Sequence, residues 1–369
     1  MAKKPSKQPR STPDGASRNL EHGRLSQNNS RLPVRFSADS TLDNSKRGRL
    51  SPYATPSATR EVLERHGLYT KYALGQNFLV NDDIVRKIIE LADVQPTDHV
   101  LEVGPGIGTL TSALLQKAGR VTSIEMDHDL PAVLQDTLAP WLGRFTLLEM
   151  DALDLREEHL QRASMGIVCD GGSASKETVP SDSFLLPNKL VSNLPYAVAA
   201  TIVLDYLQRF PFLQSATVMV QKEVADRMMA KPGSKTYGAY TVKLGLHARV
   251  AGRFPVAPGN FFPPPHVESA VIRLDSALAT DDAGNELSPE LLKAACTMAD
   301  AAFATRRKTL ANSCKTYFSG SPNVQTALPG IFERAGVDPR RRGETLSQEE
   351  FIRLGIAYLE SRRAGGVGE

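Results

Sequence analysis

Hydrophobic and polar positions divide this chain into three unequal stretches. Through residue 57, apolar residues are scattered among Ser, Arg, Asn and Pro with almost no period, which predicts a disordered tail over 1–57. Beyond it, short apolar runs alternate with amphipathic segments. His99-Val100-Leu101-Glu102-Val103 runs into glycines and reads as a buried strand, and 121–125, 144–150, 189–192, 216–220 and 267–274 read as further strands. Ala58 to Leu63 can open a first helix. Residues 81–93 place Ile84, Ile88, Leu91 and Ala92 on one face behind a cap at Asn81 or Asp82, which predicts a second. Helices follow at 109–118, 129–138 and 197–209. Strands and helices alternating at this spacing imply a doubly wound, mostly parallel α/β sheet. A polar stretch at 163–187 interrupts the alternation and reads as a surface insertion. Past Asp275 the pattern changes, and 291–304, 307–318, 323–335 and 348–359 all look helical with no strand between them. The expected organisation is therefore a tail (1–57), an α/β domain (58–276) and a small all-helical domain (277–369).

Charge sharpens the division. Residues 1–60 hold twelve Lys or Arg against four acids, a net of +8, which leaves −5 on the remainder of a chain whose total is +3. A basic arm on a mildly acidic body suits an electrostatic search for nucleic acid; for the tail alone, a solvated disordered segment is the simpler reading. Three cysteines, Cys169, Cys296 and Cys314, lie far apart without metal-ligand spacing. That argues against a zinc site or a disulfide framework and for a reducing compartment. No apolar run approaches the roughly 20 residues of a membrane span, and the N-terminus lacks the apolar core of a secretory signal. Its Ser- and Arg-rich character leaves a transit peptide open, but a cytoplasmic location is expected.

Candidate chemistry gathers where predicted strands end. Glu102-Val103-Gly104-Pro105-Gly106-Ile107-Gly108-Thr109 follows a strand and opens a helix, so its glycines let the backbone approach a ligand near free amide donors. A dinucleotide fingerprint requires glycine or alanine where Thr109 stands. The G-x-G-x-G spacing behind an acid instead suits a cationic amino-acid ligand, with Glu102 near an ammonium or sulfonium. A tight structural turn explains the loop alone equally well. Glu125 ends the next strand about 20 residues on, where an acid can accept ribose hydroxyls. Asp151 follows the third strand and could accept from a bound adenine amine or cap the next turn. Asn193-Leu194-Pro195-Tyr196 follows the fourth. Its residue types suit a reaction at an exocyclic adenine nitrogen, whose hydrogens the Asn193 side-chain carbonyl and the Leu194 backbone carbonyl could accept. Proline fixes the turn, and Tyr196 offers a stacking face for an extruded base. In isolation the four residues read as an ordinary proline turn.

In company they do not. The chain resembles the bacterial small-subunit rRNA adenine N6,N6-dimethyltransferases, the KsgA family, over about residues 69–359. The match runs through Leu74-Gly75-Gln76-Asn77-Phe78-Leu79, the Glu102–Gly108 loop, Ser192 to Tyr196, and Gln221-Lys222-Glu223-Val224. It continues through Phe261-Phe262-Pro263-Pro264-Pro265 into Val267-Glu268-Ser269-Ala270-Val271, then Thr305 to Leu310 and Gly343-Glu344-Thr345-Leu346. The resemblance implies a Rossmann-like class I methyltransferase fold with a seven-stranded sheet, and S-adenosyl-L-methionine as donor with no metal. It places Asn77, Leu79, Gly104, Glu125, Asp151 and Asn193 around the cofactor, Asn193, Leu194, Pro195 and Tyr196 at the reacting loop, and Phe261 opposite Tyr196 across the target base. The implied reaction puts two methyls on each of two adjacent adenosines near the 3′ end of 16S rRNA, within a pre-assembled small ribosomal subunit. A monomer is expected.

Arg306, Arg307 and Lys308 form a basic cluster in the helical part, where phosphate contacts give affinity and salt dependence rather than sequence choice. Arg340 to Arg342 form another, and Arg249 and Arg253 could extend it. The long basic tail and the insertion depart from the family pattern without removing a motif residue. Three other readings stay open: a resistance-type large-subunit rRNA methyltransferase, a DNA adenine methyltransferase, and a binding factor that has lost the chemistry. The helical-domain matches disfavour the first, and Leu194 standing where the DNA enzymes carry proline disfavours the second. The intact glycine loop disfavours the third.

Overall fold

The computed structural model describes residues 48–69, 76–164 and 186–364. The expected tail up to residue 47, Leu74 and Gly75 of the first motif, and residues 165–185 of the insertion, Cys169 among them, lie outside the described residues.

Helix α1 (Pro56–Arg65) is capped by Thr55, whose hydroxyl accepts from the Ala58 amide, and Pro56 opens it where no amide is needed. A two-residue strand β1 (Phe78–Leu79) leads to α2 (Asp82–Ala92), capped by the Asn81 side chain on the amides of Asp83 and Ile84. There follow β2 (His99–Val103), α3 (Thr109–Leu115), β3 (Arg120–Glu125), α4 (Leu130–Thr137), β4 (Phe145–Glu149) and α5 (Glu157–Ser164). Next come β5 (Lys189–Asn193), α6 (Ala199–Arg209), β6 (Ser215–Gln221), α7 (Lys222–Met228) and α8 (Ala239–Gly245). Strands β7 (Ala248–Val256), β8 (Phe261–Phe262) and β9 (Ser269–Ser276) complete the α/β part. Seven strands form one sheet in the order β4-β3-β2-β5-β6-β9-β7, and only β9 runs against its neighbours.

Alternation within strands explains both cores. Leu101, Leu190, Val218 and Ile272 enter one cluster, while Val100, Val191, Met219 and Val271 enter the other on the opposite face. A sheet covered on both faces needs apolar residues at every position, which is why these strands read as continuous runs.

The short elements β1, α7, α8 and β8 lie outside the sequence expectation, and two further segments depart from it. Order begins ahead of residue 57: Leu50, Ser51 and Ala54 are buried, and the amides of Leu50 and Ser51 donate to the Asp82 carboxylate at 3.2 and 2.8 Å. Strand β7 is the other. Its sequence carries Gly252 and Pro255, with a bulge between Val250 and Gly252, which erases the two-residue period. At a sheet edge a missing amide costs little, so Pro255 is tolerated there.

After β9 the chain enters four helices, α9 (Pro289–Phe303), α10 (Leu310–Tyr317), α11 (Pro322–Ala335) and α12 (Gln348–Ala364), with no further strand-length run between them. Gly355 lets α12 lie against α9, because a Cβ there would sit 2.8 Å from the Ala295 backbone. The core of this layer is shared with the α/β part: Tyr237 and Val242 pack among Met298, Leu310, Phe332 and Phe351. Tyr237 donates its hydroxyl to the Leu346 carbonyl at 2.9 Å. Among the described residues, no helix is long and apolar enough to cross a membrane.

Candidate active site

The strand order reverses between β2 and β5, and a crevice opens at the carboxyl ends of strands at such a point. A cavity of about 710 Å³ occupies it. Its wall contains Asn77, Leu79, Gly104, Glu125, Asp151, Asn193, Leu194, Pro195 and Tyr196, so residues spread over 120 positions of sequence converge on one rim. Local geometry explains the convergence. Gly104, Gly106 and Gly108 all have positive φ (+70°, +59° and +85°), a region costly for residues with a Cβ. The Gly104 amide donates to the Ile124 carbonyl at 2.8 Å, tying the loop to β3. A Cβ on Gly104 would sit 3.6 Å from the Pro195 ring, so the glycine loop and the Asn193–Tyr196 turn pack directly together.

Glu125 ends β3 buried, with Oε1 accepting from the amides of Met126 and Asp127, both at 2.9 Å. Burial raises its pKa, opposed by those amides and the Gly106 amide, so the carboxylate is held in one orientation by backbone. Asp151 is exposed on the same rim and accepts from the Leu153 amide at 2.9 Å, so its side chain does cap the following turn. On the far side, Asn193 Nδ2 donates to the Asn77 carbonyl at 3.3 Å. With its donor committed there, the amide turns Oδ1 away from that carbonyl. The Leu194 amide donates to the Met219 carbonyl at 3.1 Å, which ties the turn to β6. The Tyr196 hydroxyl meets Ser269 Oγ at 2.6 Å, and burial raises the Tyr196 pKa against that bond, so the ring is anchored and neutral.

Comparison with known proteins places the chain in a family. A family model described as ribosomal RNA adenine dimethylase matches residues 68–354. A protein named ribosomal RNA small subunit methyltransferase A in Staphylococcus aureus is 36% identical over 318 residues, 84% of this chain and 96% of that protein. The chain belongs to the ribosomal RNA adenine dimethylase family. A protein of the same name in Geobacillus kaustophilus is 37% identical over 309 residues, covering 82% and 96% of the two chains. Among solved structures, a dimethyladenosine transferase from Plasmodium falciparum superposes with a TM-score of 0.58 at 21% identity, covering 79% of this chain and 98% of that one. A 23S rRNA methyltransferase, ErmE, gives 0.51 at 23%, covering 76% and 99%. These two likenesses speak for the fold, and they agree with the seven-stranded, mostly parallel sheet.

S-adenosylmethionine is the donor of an adenine dimethylase of this kind, and the cavity suits it. Its volume lies within the range of small-molecule sites. Thr109 Oγ1 is buried on this wall without a hydrogen-bond partner among the described residues, a polar atom that a polar ligand would satisfy.

Two sequence expectations change. Glu102 lines the cavity, but one of its carboxyl oxygens is committed to partners within the protein. Oε2 accepts from Thr111 and Ser123, both at 2.7 Å, and the group is buried beneath the loop with its pKa pushed up to about 7 by desolvation. Phe261 is 3% exposed, pairs with Leu79 between β8 and β1, and packs in the core cluster of Leu79 and Val256 beside the cavity wall. Phe262 beside it is half-buried under the Arg60 guanidinium, 5.3 Å from the ring centre.

The sequence reading missed Ser269 as the anchor of Tyr196, and it missed the Gln76–Asp127 bond. Gln76 Nε2 donates to Asp127 Oδ2 at 2.7 Å and ties the Asn77 segment to the turn that follows β3. Ser269 lay inside a quoted motif, but nothing local links it to a tyrosine 73 residues away. Arg306, Arg307 and Lys308 are exposed in the connection before α10, well outside the cavity wall. Arg306 bonds Glu344 at 3.2 Å, while Arg340 and Arg341 bond Asp338 and Glu350. Arg253 bonds Asp226 at 2.6 Å.

Proposed function

We propose that this adenine dimethylase methylates two adjacent adenosines near the 3′ end of small-subunit rRNA, two methyls on each, as part of small-subunit biogenesis. Its substrate is a pre-assembled small ribosomal subunit, and it acts as a monomer in the cytoplasm. The observation that carries the reading is the clamp of Asn193 onto Asn77 beside the Gly104–Pro195 contact, within one cavity that also holds Glu125. The small-subunit relatives at 36% and 37% identity favour that substrate over the large subunit.

The geometry supports the following roles. When bound, S-adenosylmethionine supplies an electrophilic methyl carbon on a sulfonium centre. Glu125, preset by backbone amides, accepts from the ribose hydroxyls, and Asp151 reaches the adenine end of the same ligand. Gly104, Asn77 and Leu79 form the walls along which it lies. An adenosine unstacked from the RNA rests against Tyr196, whose hydroxyl Ser269 holds. Asn193 Oδ1 and the Leu194 carbonyl then accept the two hydrogens of the exocyclic amine. That draws the nitrogen lone pair out of the ring and aims it along the transfer line. After transfer the nitrogen is strongly acidic and gives its proton to water. Positioning and fixed dipoles supply the rate, so neither a strong base nor a metal is required.

The test is Asn193→Ala. Methyl transfer to under-methylated small subunits should fall by about two orders of magnitude or more, with cofactor affinity by calorimetry changed only several-fold. Equal loss of both would remove Asn193 from the reacting role. Radiolabelled methyl appearing in purified large subunits instead of small ones would overturn the substrate assignment.

A further inference from the structure

Most polar side chains on the cavity wall already have partners. Gln76, Asn193 and Tyr196 are engaged with Asp127, the Asn77 carbonyl and Ser269. Two others form no side-chain hydrogen bond among the described residues: Thr109 at the glycine loop, and Gln221. Gln221 is half-buried where β6 ends, at the cap position of α7, yet its amide makes no cap bond.

Strand register places that amide. Asn193 lies beside Met219 in the parallel β5–β6 pair, and Gln221 lies beside Ser269 in the antiparallel β6–β9 pair. Val191, Met219 and Val271 share one core cluster, so by alternation Asn193, Gln221 and Ser269 project from that same face at the carboxyl end of β6. Directly paired residues have Cβ atoms about 5 Å apart, which sets Gln221 next to the serine that holds Tyr196. In the sheet order, Asp151, Glu125 and Gly104 follow or end β4, β3 and β2, Asn193 ends β5, and β6 is the first strand beyond it. Gln221 therefore borders the half of the cavity that receives the base, not the half that receives the donor.

We propose that Gln221 recognises the target adenine, its amide N–H donating to a ring nitrogen beside the amine that accepts the methyl. The proposal rests on adenosine being the substrate and deepens that reading by naming a residue that reads the base. With the amine hydrogens directed to Asn193 Oδ1 and the Leu194 carbonyl, adenine still presents an acceptor on either side of the amine, N1 and N7. A glutamine amide carries two donors and suits either one. The contact also has a positioning effect. A base stacked on Tyr196 is fixed in plane but can turn within it, and one hydrogen bond beside the amine stops that rotation and keeps the lone pair on the transfer line.

The test pairs a change in the protein with a change in the base. Gln221→Met keeps the length of the side chain and removes both donors. Small subunits are reconstituted with a 3′ rRNA segment carrying adenosine, 1-deazaadenosine or 7-deazaadenosine at the methylated positions, and kcat/KM is measured for the full parent chain and the variant on each. A lost neutral hydrogen bond corresponds to about 3- to 10-fold, so the variant should lose that factor on adenosine at unchanged cofactor affinity by calorimetry. One of the two analogues should then cost the parent about 3- to 10-fold more than it costs the variant, where the bond is already absent. The altered electronics of a deaza ring act on both proteins alike and cancel in the comparison. Whichever analogue shows the coupling names the nitrogen. Equal costs in parent and variant for both analogues would overturn the proposal, because a purely structural glutamine gives that result even in a slow variant. A parent that transfers no methyl to subunits carrying plain adenosine would sink the substrate reading itself, a separate failure.

Discussion

Glu102 allows a stability prediction with a definite sign. Its carboxyl is buried under the glycine loop, accepts from Thr111 and Ser123, and has a pKa raised from 4.5 to about 7, first by desolvation and further by the nearby Glu125 charge. Below pH 4.5 the group is protonated in both folded and unfolded chains and costs nothing. Between 4.5 and 7 the unfolded chain releases the proton that the folded chain keeps, so stability falls as pH rises. Above 7 the full cost is present, about 3 kcal/mol for a pKa displaced this far. Glu102→Gln keeps the shape and an acceptor for both hydroxyls but cannot ionise. The difference in unfolding free energy between variant and parent should therefore move in favour of the variant by about 2–3 kcal/mol from pH 5 to pH 8. Urea unfolding of both proteins at several pH values, followed by circular dichroism, measures it directly, because every other titrating group cancels in the difference to first order. A difference independent of pH would mean that Glu102 ionises normally, and the burial argument would fail.

Other substitutions test the site and its supports. Glu125→Ala removes a charged acceptor and should weaken cofactor binding about 10- to 100-fold by calorimetry, in line with roughly 1.5–3 kcal/mol for charge-assisted hydrogen bonds; unchanged affinity would end its ribose role. Ser269→Ala frees the Tyr196 hydroxyl, so turnover on small subunits should drop several-fold at unchanged cofactor affinity, for a lost bond worth about 1 kcal/mol. Full activity there would show that Tyr196 needs no anchor. Asp82→Ala strips the amides of Leu50 and Ser51 of their acceptor and should lower stability by about 1–3 kcal/mol in urea. No change would mean that the segment ahead of α1 contributes nothing.

Much of this protein was legible in its order of residues. Apolar runs such as His99–Val103 are strands because a sheet buried on both faces requires them, and the turn to helices after β9 follows from a change of period. The glycines at 104, 106 and 108 announced positive φ, since other residues adopt it only at a cost. Strand-end placement of Glu125, Asp151 and Asn193 was enough to predict a shared rim, because parallel strands present their carboxyl ends on one side. Strand β7 escaped because a glycine, a proline and a bulge remove its period, and only pairing with β9 makes it a strand.

What tertiary structure alone decided is which way each side chain faces and whom it meets. Glu102 alternates with Leu101 and Val103 and so faces α3, where Thr111 donates to it at the wall of the cavity. Phe261 is drawn into the core by its pairing with Leu79. Asn77 with Asn193, Tyr196 with Ser269, and Arg306 with Glu344 are contacts between residues 38 to 116 positions apart. Local periodicity records the element a residue belongs to, and it carries no trace of such partners. Those are set by how the elements pack, because the burial that brings them together is a property of the whole fold.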